Sequence, residues 1–181
     1  QEYPALVKEV LRAVTPQCVA EVLRNLVNEG IPIRNLRAIL EALAEWGARE
    51  KDPGGLTEFV RIGLKRYITA RFVDGNRDLR AVIVQSEVEE QVRKSLNETP
   101  AGLLLMMAPE VAARLRDNLR QLLAMIDKVE SAGGQRVLLT SVDVRRHIKK
   151  LVEHECEGIP VLSYQELVMP VNIVPLGHLS S

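Results

Sequence analysis

The spacing of apolar residues changes once along this chain, at the turn cluster Asp74-Gly75-Asn76. Before it, apolar residues recur every three or four positions, which is the period of helices with one buried face. Leu6, Val7, Val10, Leu11 and Val14 mark a first stripe. Thr15-Pro16 reads as an N-cap followed by proline at the first helical position. Val19, Val22, Leu23, Leu26 and Val27 then form a second stripe, which Gly30 stops. A third helix is expected from about Arg34 to Trp46, ended by Gly47. Asp52-Pro53 repeats the cap-plus-proline signal for a fourth, carrying Leu56, Phe59, Val60, Leu64, Tyr67, Ile68 and Phe72. Four short helices with tight connections make a compact helical unit.

After the turn cluster, β-branched runs alternate with helical patterns. Leu79–Gln85 reads as a strand. Ser86 and Glu89 have capping-box spacing for a helix that starts at once. Asn97–Gly102 reads as loop, and a long helix is expected from Pro109 to about Ser131. Gly133-Gly134 breaks it. Arg136–Thr140 is a second strand, and Thr140 with Asp143 repeats the capping-box spacing for a helix to about Cys156. Val161–Tyr164 is a third strand. Asn172–Pro175 is a short fourth, placed at an edge because proline cannot donate to a ladder. This alternation implies parallel pairing through right-handed crossovers. The expected fold is therefore α+β: a compact four-helix subdomain over residues 1–77, then a small α/β subdomain over 78–181 with a partly parallel sheet.

Composition removes several classes of function. With 46% hydrophobic and 27% charged residues, the chain has enough apolar surface to bury and is not expected to be disordered. Its longest apolar run, Ala101 to Ala108, falls well short of the roughly 20 residues that span a bilayer. The 24 basic and 24 acidic side chains cancel, which argues against phosphate-backbone binding. Aromatic residues make up 3%, leaving little for base stacking. The chain starts Gln1-Glu2-Tyr3, without Met, and reads as a piece of something longer.

No catalytic or metal constellation emerges. Cys18 and Cys156 are too few for a disulfide framework and read as reduced thiols, and Cys18 lacks a nearby histidine. Ser163 has no G-x-S-x-G frame. Neither Gly54-Gly55 nor Gly133-Gly134 belongs to a phosphate-binding pattern. The pair Glu89-Glu90 sits in a helical first turn, where the helix dipole accounts for it. His147 and His154 lie on nearly one face of a helix, but that spacing does not suit zinc. They read as solvated side chains, or as a pair whose titration near neutral pH alters a partner contact. Arg34, Arg37, Glu41 and Glu45 mark the polar side of the third helix, with an attractive Arg37–Glu41 and a repulsive Glu41–Glu45 neighbour pair. Such a face is either plain solvated surface or a subunit contact whose charges set register.

The segment Ile31 to Glu45 (IPIRNLRAILEALAE) closely resembles the "I-R-N-L-R-x-I-L-E-A-L" motif of the large export-gate protein of bacterial type III secretion systems. Val19–Leu26, Lys51-Asp52-Pro53, Val60–Ile68 and Ile159–Leu167 resemble further segments of that family, so the likeness covers nearly the whole chain. Residues 49–72 resemble its virulence (injectisome) branch more than its flagellar one. The resemblance implies the last two of four cytoplasmic subdomains of a protein whose missing N-terminal half spans the inner membrane. It implies a non-enzymatic role without cofactor or metal, on the cytoplasmic face of that membrane. The whole protein would form a nonameric ring that meets other export-apparatus proteins, gatekeeper proteins, chaperone–substrate complexes and the ATPase complex, and no nucleic acid. In that setting Arg34, Asn35, Arg37, Glu41 and Glu45 are expected at a subunit interface, and the 181-residue piece alone is expected to be monomeric. Two other classes remain: a helical nucleic-acid module, and a small α/β enzyme with its site at the strand carboxyl ends.

Overall fold

The computed structural model describes residues 3–99, 102–129, 135–153 and 158–181. They pack as two units, Gln1–Thr69 and Ala70–Ser181. The division lies before the turn cluster because that turn is tied to the strand after it: Asp74 Oδ1 accepts from the N–H groups of Asn76 and Asp78, both at 2.9 Å.

The first unit contains α1 (Pro4–Ala13), α2 (Pro16–Asn28), α3 (Leu36–Trp46), α4 (Pro53–Gly63) and the start of α5 (Lys65–Phe72). The Thr15 side chain accepts from Cys18 N–H, and the Asp52 side chain accepts from Gly54 and Gly55 N–H, so both cap signals are realised. Gly30 adopts φ 69°, a conformation that favours glycine, and closes α2. Val10, Val22, Leu26, Ile39, Leu43, Leu56, Val60 and Ile68 form the buried set. Gly47 is held by a close approach, since a Cβ there would lie 2.0 Å from Val14 Cγ2.

The expected fourth helix is two helices. Leu64 closes α4 through its N–H to Val60 O, and its own carbonyl accepts from Tyr67 and Ile68 to start α5. The apolar period runs through this joint unbroken, which is why spacing does not reveal it.

In the second unit, β1 (Asp78–Val84), β4 (Val137–Thr140), β5 (Val161–Ser163) and β6 (Asn172–Leu179) form one parallel sheet in the order β5-β4-β1-β6. The crossovers are α6 (Ser86–Lys94) with α7 (Pro109–Val129), and α8 (Val142–Val152). Val82, Val84, Leu138 and Val161 meet Val88, Leu115, Leu119 and Ile148 from these helices in one apolar cluster. Leu79, Ala81, Val137 and Leu139 are buried as well, so the central strands read as continuous apolar runs. The fourth strand is at an edge as expected but extends to Leu179, with a register shift opposite Pro175.

The expected loop over 97–102 is not borne out at its described residues, and positions 100 and 101 lie outside them. Leu96–Thr99 (β2) and Gly102–Leu105 (β3) form a separate antiparallel pair. Asn97, Glu98 and Gly102 lack strand propensity, and main-chain pairing overrides it. Neither proposed capping box forms. Gln85 and Ser141 take the N-cap positions of α6 and α8, without side-chain caps. Among the described residues, no helix is long and apolar enough to cross a membrane.

Candidate functional site

The polar face of α3 is built by a simple division of labour along the helix. Ile39, Leu40, Ala42 and Leu43 are buried and hold it against its neighbours. Arg34, Asn35, Arg37, Glu41 and Glu45 are all exposed on the other side. Asn35 is the N-cap, and its Oδ1 accepts from Ala38 N–H at 3.3 Å. Its side chain therefore fixes where α3 begins. Arg37 Nε donates to Glu41 Oε1 at 2.8 Å, with side-chain exposures of 67% and 53%. That bond and the Glu41 charge raise the Arg37 pKa further above its ordinary value. Arg34 and Glu45 are exposed on either side of this pair along the chain. Ile33 and Leu36, half-exposed, stand among these charges. The C-terminal end of α3 is pinned by Trp46, which stacks on Phe59 with ring centroids 4.2 Å apart. The structure thus presents a mixed apolar and charged surface, with Arg37 and Glu41 paired to each other.

Three polar clusters lie elsewhere, and only one of them carries a local sequence sign. Glu89 is buried. Its Oε1 accepts from Thr140 Oγ1 and Ser141 N–H, both at 2.7 Å, and its Oε2 accepts from Ser141 Oγ at 2.8 Å. Burial alone would push this carboxyl up, but those hydrogen bonds and the Arg93 charge outweigh it and hold it below the ordinary carboxylate value. Arg93 in turn donates through Nε to Asp143, which lowers the Asp143 pKa. The Glu89-Glu90 pair is therefore not explained by the helix dipole alone. Glu89 ties α6 to the β4–α8 junction.

Arg145 and Glu166 are fully buried and lie 3.7 Å apart. Arg145 also donates to Val161 O, and Glu166 accepts from Ser163 N–H. The S-x-x-E spacing of Ser163 and Glu166 was a readable sign of this 3-10 turn. In the first unit, buried Arg61 donates to Glu29 at 3.0 Å across 32 positions, a separation with no sequence signature.

His147 is buried, not solvated, and its Nε2 accepts from Arg146 Nε at 3.2 Å. The expectation of a solvated side chain fails at His147 because its face of α8 is the inner one. His154 lies outside the described residues. At the carboxyl end of β1 a polar cleft of about 370 Å³ is lined by Gln85, Ser86, Glu87, Glu89 and Tyr164, among others. Burial first, and then Glu89, push the Tyr164 hydroxyl up. No group of three or more potential metal ligands exists among the described residues.

A family model described as the FHIPEP family matches residues 1–172. The chain belongs to this family. It is 42% identical over 175 residues to Invasion protein InvA of Salmonella typhimurium, covering 96% of this chain and 25% of that protein. The chain spans about a quarter of the length of the curated relatives it matches. Among solved structures, it resembles the nonameric EscV cytosolic domain from the type III secretion system, with 33% identity and a TM-score of 0.83 over 99% of this chain and 52% of that one. It also resembles the Chlamydia pneumoniae CdsV in a complex with CdsO, with 39% identity and a TM-score of 0.87 over 98% of this chain and 52% of that one. Membership in the family agrees with the resemblance carried by residues 31–45, and the InvA relative agrees with the virulence branch.

Proposed function

We propose that this chain is part of the cytoplasmic portion of a type III secretion export gate, acting without catalysis as a ring component and partner platform at the inner membrane. The observation that carries the reading is the family match over residues 1–172, joined to a nonameric relative that covers 99% of this chain. In this reading the first unit supplies subunit contacts through Arg34, Arg37, Glu41 and Glu45. Asn35 supports them by setting the start of α3. The second unit meets partner proteins, a reading in keeping with a relative, CdsV, that forms a complex with CdsO. Gatekeepers, chaperone–substrate complexes and the ATPase complex are the further partners.

A non-enzymatic role is supported by the chemistry of the cleft. Its one buried carboxylate, Glu89, is already held by three donors and an arginine, which makes it a poor base. The test is Arg37→Glu in the full-length protein. Secretion is expected to stop, while the 181-residue chain carrying the same change unfolds at the wild-type denaturant concentration. Normal secretion would remove the α3 face from the interface.

A further inference from the structure

Among the described strands, β3 has an outer edge that nothing defends. The sheet edge at β6 is blunted by Pro175 and a register shift. The opposite edge, β5, is three residues long and wholly buried. The β2 strand carries the polar Asn97 and Glu98, both exposed. By contrast β3 reads Gly102-Leu103-Leu104-Leu105, with no charge, proline or bulge. Leu103 and Leu104 are each 47% exposed, and Met106 is 62% exposed.

The register shows which main-chain groups are free to pair. Asn97 lies opposite Leu104, and Met106 N–H donates to Ser95 O at 2.7 Å. Antiparallel ladders alternate, so the N–H and C=O of Leu104 turn toward β2 while those of Leu103 and Leu105 turn outward. A two-stranded ladder is marginal in water by itself, and a flat apolar edge is a template for a further strand.

We propose that the outer edge of β3 takes an extended segment of a partner polypeptide as a third strand. Main-chain hydrogen bonds from Leu103 and Leu105 hold it, and its side chains set the choice. Leu103 and Leu104 point to opposite faces, so apolar residues on both faces of the added strand find a leucine neighbour. Glu98 lies directly across from Leu103 on β2 and shares its face. A residue opposite Leu103 on the new strand sits two strand spacings from Glu98, about 9.6 Å. A lysine or arginine there lays its stem over Leu103 and brings its charge to the Glu98 carboxylate. The partner segment is thus a basic residue flanked by apolar ones. The β3 of a second copy does not fit, because it has no basic residue to offer.

The test uses the 181-residue chain and a capped peptide of sequence Thr-Val-Lys-Val-Thr, read by residue-resolved amide exchange. Saturable binding is expected to slow exchange at Leu103 and Leu105 about fivefold and leave Leu104 unchanged. The peptide pairs antiparallel, so its lysine N–H faces Leu103 and its valine N–H groups face away; methylating the lysine main-chain nitrogen abolishes the effect. Leu103→Pro removes an outward donor without touching the β2 ladder, and is expected to weaken binding about tenfold. Glu98→Lys keeps the ladder and shifts preference to Thr-Val-Glu-Val-Thr, which covers the case in which the proline variant does not fold. No protection up to the solubility limit of the peptide overturns the proposal. Equal protection by the N-methylated peptide, or protection of the same amides by self-association without peptide, does so too. The Arg37→Glu variant binds the peptide as wild type does, so this result stands apart from the ring reading.

Discussion

Glu89 ties α6 to the junction of β4 and α8 in the second unit. Its carboxylate receives two hydroxyls and an amide from Thr140 and Ser141, and faces Arg93. Replacing it with glutamine puts an NH2 group against donors, and is expected to cost about 1–3 kcal/mol in chemical denaturation. The pH dependence comes from the direction of the shift. The folded carboxyl lies below its unfolded value, so its contribution is full above the unfolded pKa near 4.3 and is lost as pH falls through the folded value. Asp143, lowered first by its hydrogen bond from Arg93, acts in the same sense. The wild-type denaturation midpoint should therefore fall between pH 6 and pH 3 more steeply than that of Glu89→Gln. In the first unit, Arg61→Met leaves the half-buried Glu29 without this partner, and should destabilise by about 3–5 kcal/mol in urea titration.

At the scale of elements, α3 is fixed at both ends by side chains that lie within or next to its polar face. Asn35→Ala should lower stability by about 1 kcal/mol through the lost cap. Thermal unfolding of that variant reads the cap and says nothing of the interface, which is why Arg37 is the cleaner test of the ring. Gly47→Ala forces a Cβ onto Val14 and should cost about 1–3 kcal/mol, measured the same way. The helices of this unit were legible from apolar spacing, cap residues and proline. The joint at Leu64 was not, because the stripe continues across it. The β2–β3 pair was hidden for the opposite reason: its residues carry no alternating pattern, and pairing alone makes the strands.

For the whole molecule, the question is how copies meet. A cyclic ring needs two different surfaces that fit each other, and in the proposed reading the α3 face would supply one side of the contact. Arg37 lies mostly in solvent and is already bonded to Glu41, an i, i+4 pair worth only a few tenths of a kcal/mol. Breaking it in favour of a neighbour is therefore cheap. Light scattering is expected to find the 181-residue chain monomeric at micromolar concentration and the complete cytoplasmic portion assembled. Arg37→Glu should shift the latter toward monomer without changing the former.

Legible in the residues alone were the α+β class, the caps of α2 and α4, the parallel alternation and, through residues 31–45, the family. These are local or periodic signals, set by the backbone geometry of a few neighbouring residues. The sequence also marked the α3 face as charged. Tertiary structure alone decided that Glu89 is buried and bonded instead of solvated, that His147 faces inward, and that Arg145 pairs with Glu166 and Arg61 with Glu29. It decided too that three leucines form an open sheet edge. Each of these depends on which distant segments are brought within hydrogen-bond reach, and a charge or a leucine reads the same in sequence whether its partner is water, a buried carboxylate or another chain.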